Sequence, residues 1–184
     1  MGCSKTLYGI AQECNANVGG IKKAYIANFQ EGIFKYTVAT GSTEGDIEIP
    51  NQITGITSGV TFLPVEFRKG SSSMTSTLNT DQATGLNYVS TEVALAFARQ
   101  ETGKRLAVAS MALGGIAMVV VDANNEWHGL GVDEGMFPTA GGAETGTARG
   151  DANQYTLTLG DEFRTFPMML TEDAKAAVKA AAGE

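Results

Sequence analysis

The side chains able to do chemistry are few, and their spacing is poor for it. His128 is the single histidine in the chain. One imidazole cannot build a multi-histidine metal site or a His dyad for acid–base catalysis. Cys3 and Cys14 are the only cysteines, at a spacing that matches no zinc or redox motif. There is no G-x-S-x-G elbow, so the usual setting for a nucleophilic serine is missing. Two acidic groupings invite a cation reading. Glu44, Asp46 and Glu48 alternate with Gly45, Ile47 and Ile49, which puts three carboxylates on one face of an extended segment; a wet strand face does the same. Asp122, Asn124 and Glu126 have the one-three-five spacing of a calcium loop, but Trp127 holds the place where that loop needs glycine. A β-hairpin turn is the better reading there. The Gly-rich stretch 133–153 has no lysine and no helix start after it, so it is no phosphate loop. These residues predict no catalytic, cofactor-binding or metal-binding site, and no enzyme.

The elements that would position a site say more. Residues 87–122 hold most of the strongly apolar sequence. In the first part, Val89, Thr91, Val93, Leu95 and Phe97 alternate with Ser90, Glu92, Ala94, Ala96 and Ala98, the period of a strand. Over 101–114 the period becomes helical through Leu106, Ala109, Ala112 and Leu113, and Gly114-Gly115 stops it. Ile116 to Val121 is short, apolar and β-rich, so a buried strand is expected. Around this core, Ile21–Phe29 and Ile33–Val38 read as a hairpin. Residues 61–69 alternate, with Pro64 marking an edge or a bulge. The Ser/Thr-rich segment 70–87 reads as a long hairpin continuing the strands that flank it. Residues 133–153 read as a loop, 154–159 as a strand, and Gly160-Asp161-Glu162 as its turn. Thr171 caps a short Ala-rich helix whose apolar face, only Ala and Val178, suggests a tail or a helix that rests on a neighbour.

This order gives a mainly β (α+β) fold: a β-sandwich or barrel with one packed helix, a long exposed hairpin and extended terminal arms. The organisation expected is an N-terminal arm (1–20), a single β-rich domain (21–163) and a C-terminal extension with a short helix (164–184). The 184 residues suit one core-bearing domain, and 23 glycines against 4 prolines fit many turns. No apolar run of about 18 residues is present, so no membrane span is expected. No secretory leader is visible; Met1-Gly2-Cys3-Ser4-Lys5-Thr6 fits the acylation pattern M-G-x-x-x-[ST], without a polybasic patch beside it.

The formal net charge is −7. Residues 1–121 hold 9 basic and 9 acidic side chains, whereas 122–184 hold 4 and 11, so the excess lies in the last third. Such a chain cannot clamp phosphates, but it can border nucleic acid as a surface that does not stick.

In the strands 61–69 and 87–99, the long connection 70–87, the helix 101–114 and the closing strand 154–159, the chain resembles the tail tube proteins of long-tailed bacteriophages and related tube-forming proteins of contractile injection systems. The likeness is of element order and covers most of the chain. It implies a structural virion protein assembled in the host cytoplasm: a homo-oligomeric, hexameric ring, rings stacked into a tube, contact with other virion proteins, and passive contact with DNA in the lumen. Neighbouring sheets would line that lumen. Two other readings are open: another virion component (head-completion, tail-terminator or capsid-decorating), or a β-barrel that binds a small molecule or glycan in a pocket near Trp127 and Tyr155.

Overall fold

The computed structural model describes residues 17–39, 49–67, 70–81 and 83–184. Cys3, Cys14, the acylation pattern and the Glu44/Asp46/Glu48 triplet lie outside these residues. Two sheets and two helices form three layers. The larger sheet has the order β2-β3-β11-β8-β7-β1-β4 and the smaller β5-β6-β10-β9. They comprise β1 (Ile21–Asn28), β2 (Phe34–Ala39), β3 (Ile49–Ile56), β4 (Leu63–Val65), β5 (Ser73–Asp81), β6 (Leu86–Ala98), β7 (Ile116–Asp122), β8 (Trp127–Leu130), β9 (Phe137–Glu144), β10 (Gln154–Phe163) and β11 (Met168–Leu170). The helices are α1 (Thr102–Met111) and α2 (Glu172–Ala181). The mainly β, α+β sandwich expected from the sequence is the observed class.

β7 explains the layering. It sits inside the large sheet between β1 and β8, and Ile116 through Val121 are all buried. Its side chains alternate between two cores. Ile116, Met118 and Val120 face the smaller sheet with Val93, Leu95, Leu157 and Leu159. Ala117, Val119 and Val121 face the other way, with Tyr25, Trp127, Ala174 and Val178. A strand apolar on both faces is what a central layer requires.

The two helices exchange the roles that the sequence suggests for them. α1 leaves Leu106 exposed, as the chain just past it leaves Leu113, and buries only Met111, with Val108 partly packed beside the inter-sheet core. The helix is small and apolar on several sides, so its sequence does not single out one stripe. The immediate passage from Met111 through Gly114-Gly115 into β7 turns the Val108/Met111 stripe inward. α2, in contrast, is a core element. Ala174 and Val178, one turn apart, are fully buried. Alanine lets the helix axis approach the sheet closely, so a face of little area still excludes water. Thr171 caps it, its Oγ1 accepting from Ala174 N at 3.4 Å. Beyond its last turn, the Glu184 carboxylate accepts from Lys23 Nζ and from Tyr25 Oη (2.9 Å for the latter). The reading of this helix as a loose tail is therefore corrected.

Three pairings also differ from expectation. β1 and β2 are not a hairpin: β1 pairs with β4 and β7, and β2 pairs with β3. The 70–87 segment does not extend β4. The chain crosses to the smaller sheet, and β5 pairs with β6 over nine successive residues, from Ser73↔Ala94 to Asp81↔Leu86. The hairpin is closed by an Asx turn in which Ala83 N donates to Asp81 Oδ1 at 2.9 Å. Finally, β10 does not turn at Gly160 but runs on to Phe163. Asp161 is buried there, and its Oδ2 accepts from Gly131 N at 2.9 Å. That bond ties the smaller sheet to the chain leaving β8.

Candidate assembly surface

The outer face of the smaller sheet is a regular four-stranded surface outside the two cores. Strand alternation defines it. On β6, Val89, Thr91, Val93, Leu95 and Phe97 are buried, as their spacing predicts, so Ser90, Glu92 and Ala94 face out. Register carries this face across the sheet. Thr158 lies opposite Ala94, Gly160 opposite Glu92 and Glu162 opposite Ser90 on β10. Thr75 and Thr77 lie opposite Glu92 and Ser90 on β5. Ala140 and Gly142 lie opposite Thr158 and Thr156 on β9. The face is built largely of Ser, Thr, Ala and Gly, with Leu86, Tyr88 and Phe137 as its large apolar and aromatic side chains and Glu92, Glu144, Glu162 and Asp81 as its charges. None of the four strands contains a lysine or an arginine. A shallow groove of about 240 Å³ in this face is lined by Ser90, Glu92, Glu134, Phe137 and Glu162, among others.

The two long edges of this sheet are open. β5 and β9 are its outer strands, nine and eight residues long. Natural sheet edges are usually blunted by shortness, lysine, proline or bulges. β5 has none of these and pairs with β6 without a register shift. β9 has Pro138 and one bulge near its start, then a regular run from Ala140 to Glu144. The edges of the large sheet are blunted. β4 has three residues, one of them Pro64, and β2 carries Lys35 and two register shifts against β3. Edge pairing between molecules is thus available to the smaller sheet.

The side chains with chemical potential are not brought together. His128 is half-buried, with Nε2 3.8 Å from Asp122 Oδ2, and no further ion-pair partner joins them among the described residues. Asp122 serves the β7–β8 turn, its Oδ1 accepting from Asn124 N and Glu126 N at 2.8 Å each. Trp127 and Tyr155 do not share a pocket. Trp127 stacks on Tyr25 with ring centroids 5.3 Å apart in one core, and Tyr155 packs against the other. The expected pocket shared by these two rings is therefore not formed, since they belong to different cores. Among the described residues, no three of His, Cys, Asp and Glu converge as a metal site, and no helix is long and apolar enough to cross a membrane. The surface feature that sequence reading missed is β9, hidden within a Gly-rich stretch that reads as loop. Phe137-Pro138-Thr139 was the available signal.

No family model matches the chain, and no curated protein does. Among solved structures, it is similar to a chain from the "virion of native gene transfer agent (GTA) particle", at 12% identity and a TM-score of 0.38, over 60% of this chain and 89% of that one. So partial a likeness adds nothing to the surface geometry.

Proposed function

We propose that this protein is a structural subunit of a phage-like virion and that it assembles with copies of itself into rings stacked as a tail tube. The observation that carries the reading is the smaller sheet: a face free of basic side chains between two long open edges. β6 runs antiparallel to β5 and to β10, and β9 antiparallel to β10. β5 and β9 therefore run in opposite directions. If each copy is related to the next by rotation about an axis along the strands, the β5 of one meets the β9 of its neighbour antiparallel. Each added copy then extends one continuous sheet, and a head-to-tail contact of this kind closes into a ring. Six copies is the number that the family resemblance implies.

The outer face then lines a channel. Phosphate binding needs lysine and arginine, and this lining offers short hydroxyls, alanine, glycine and carboxylates, with Leu86, Tyr88 and Phe137 among them. DNA would be repelled weakly and everywhere, so that it could slide. Other virion proteins would meet the tube at its two ends.

The test is electron microscopy and sedimentation of the purified chain at high concentration, beside the variant Gly142→Lys. Rings or tubes are expected for the natural sequence. The variant should fold, because a Cβ at Gly142 meets only Thr156 Oγ1, at 3.5 Å, yet a lysine on β9 should stop ring closure. A natural chain that stays monomeric under all assembly conditions would overturn the reading.

A further inference from the structure

The two ends of the smaller sheet differ in charge. At the end where the β5–β6 hairpin projects, Asp133, Glu134 and Glu162 border a hollow with Asn87, Tyr88 and Arg164. Asp81 stands farther out, at the hairpin turn. The one cation there among the described residues, Arg164, is taken up by Asp133 at 3.0 Å. Glu134 and Glu162 are exposed and enter no ion pair among the described residues.

The opposite end gathers Arg99, Lys104 and Arg105 around the start of α1, with Arg149 in the β9–β10 connection. That connection is held against the same corner: Arg99 N donates to Asn153 O at 2.7 Å, and Gln100 Nε2 to Glu144 O at 2.9 Å. The acids at this end among the described residues, Glu101, Glu144 and Asp151, are one fewer than its four cations. Glu101 pairs with Arg99 at 3.1 Å and with Lys104 at 3.9 Å. Asp151 Oδ2 accepts from Thr147 N and Ala148 N at 2.7 Å each. Arg105 and Arg149 are exposed and, among the described residues, unpaired.

We infer that the acidic hairpin end of one copy docks on the basic α1 end of a second copy, Glu134 and Glu162 facing Arg105 and Arg149, and that this charge match gives the stack its head-to-tail polarity. The inference rests on the proposed ring, in which the strand ends become the two rims. A rim with excess acid repels its own kind and attracts the opposite rim, so head-to-head stacking is disfavoured. The contact is heterologous, so it leaves one acidic and one basic rim free and growth continues. Being exposed, it is sensitive to ionic strength: the screening length falls from about 10 Å at 0.1 M to about 3 Å at 1 M salt.

The experiment is a charge swap on the full chain, read by electron microscopy and sedimentation. Arg105→Glu with Arg149→Glu should give single rings and lose tubes. Glu134→Lys with Glu162→Lys should do the same. Mixing the two variants should restore tubes, because each unnatural rim then meets an unnatural rim of opposite charge. The chain with all four substitutions should also form tubes alone. Tubes of natural length from either double variant, or no recovery on mixing folded rings, would overturn the rim inference and leave the ring reading standing. If the natural chain forms no rings, the proposed function itself fails. Thermal melts check that every variant is folded.

Discussion

Gly131→Ala probes the joint on which the two sheets depend. Gly131 follows β8 at φ 70°, in the left-handed region where a Cβ strains the backbone. An added Cβ would also meet Ile116 O at 2.5 Å, Met136 N at 3.0 Å and Gly135 Cα at 3.1 Å. All three are main-chain atoms, and Ile116 and Met136 are tied to each other by reciprocal bonds of 3.0 and 2.7 Å, so they cannot swing aside. The left-handed conformation alone costs alanine about 1 kcal/mol. Overpacking against fixed backbone adds roughly 1–3 kcal/mol. Any shift of the turn also draws Gly131 N from the buried Asp161 carboxylate, at roughly 1–3 kcal/mol more. The expected loss is about 3–7 kcal/mol, a large share of a domain's stability. Urea unfolding followed by Trp127 emission measures it, since this single tryptophan is buried at the start of the strand that leads into Gly131. Gly32→Ala is the control: φ is 71° but nothing lies within 4 Å of the new Cβ, so only the conformational part, about 1 kcal/mol, should be lost. Equal midpoints for the two variants would refute this account of the joint.

Val178→Ala tests whether α2 belongs to the core. Removing two fully buried methyl groups should cost about 2 kcal/mol and lower the melting temperature by roughly 4–8 °C, whereas an unchanged melt would mean that the helix is a passenger. Asp161 should give stability a pH dependence. Burial pushes its carboxyl above the ordinary range, with Asp133 and Glu134 acting in the same direction and the Gly131 bond opposing them. Since the folded-state pKa is raised, the protonated form favours folding: stability is fully present below the unfolded pKa near 3.8 and is lost as pH rises through the folded value. Asp161→Asn keeps an acceptor for Gly131 N and should flatten that slope in denaturant titrations across the acid range; a slope unchanged from the natural chain would assign it to other groups.

Much of the scaffold was legible because burial obeys simple periods. The alternation on β6 fixed which of its side chains face inward, and the all-apolar run of β7 announced a strand covered on both sides. Pro64 marked an outer strand. What stayed hidden follows from tertiary competition. Ala174 and Val178 carry so little area that their burial is visible only once the helix sits close against the sheet. Leu106 and Leu113 outweigh Val108 and Met111 in a sequence, yet the connection to β7 decides which stripe turns inward. Beyond Phe137-Pro138-Thr139, β9 has only small side chains and Glu144 to announce it, and it forms against β10 as a template. The candidate surface was half visible. The acidic last third could be read directly, but only strand register places Glu144 and Glu162 beside Glu92 and Asp81 on one face. The absence of lysine and arginine from four strands acquires meaning once those strands share a sheet.

The central claim is that β5 and β9 are the strands by which copies join. Hydrogen exchange compared between dissociated and assembled protein tests it most directly. The account predicts that amides within Ser73–Asp81 and Phe137–Glu144 gain protection together on assembly, while β2 and β4 at the edges of the large sheet exchange as before. Protection gained at β2 and β4, with β5 and β9 unchanged, would contradict it.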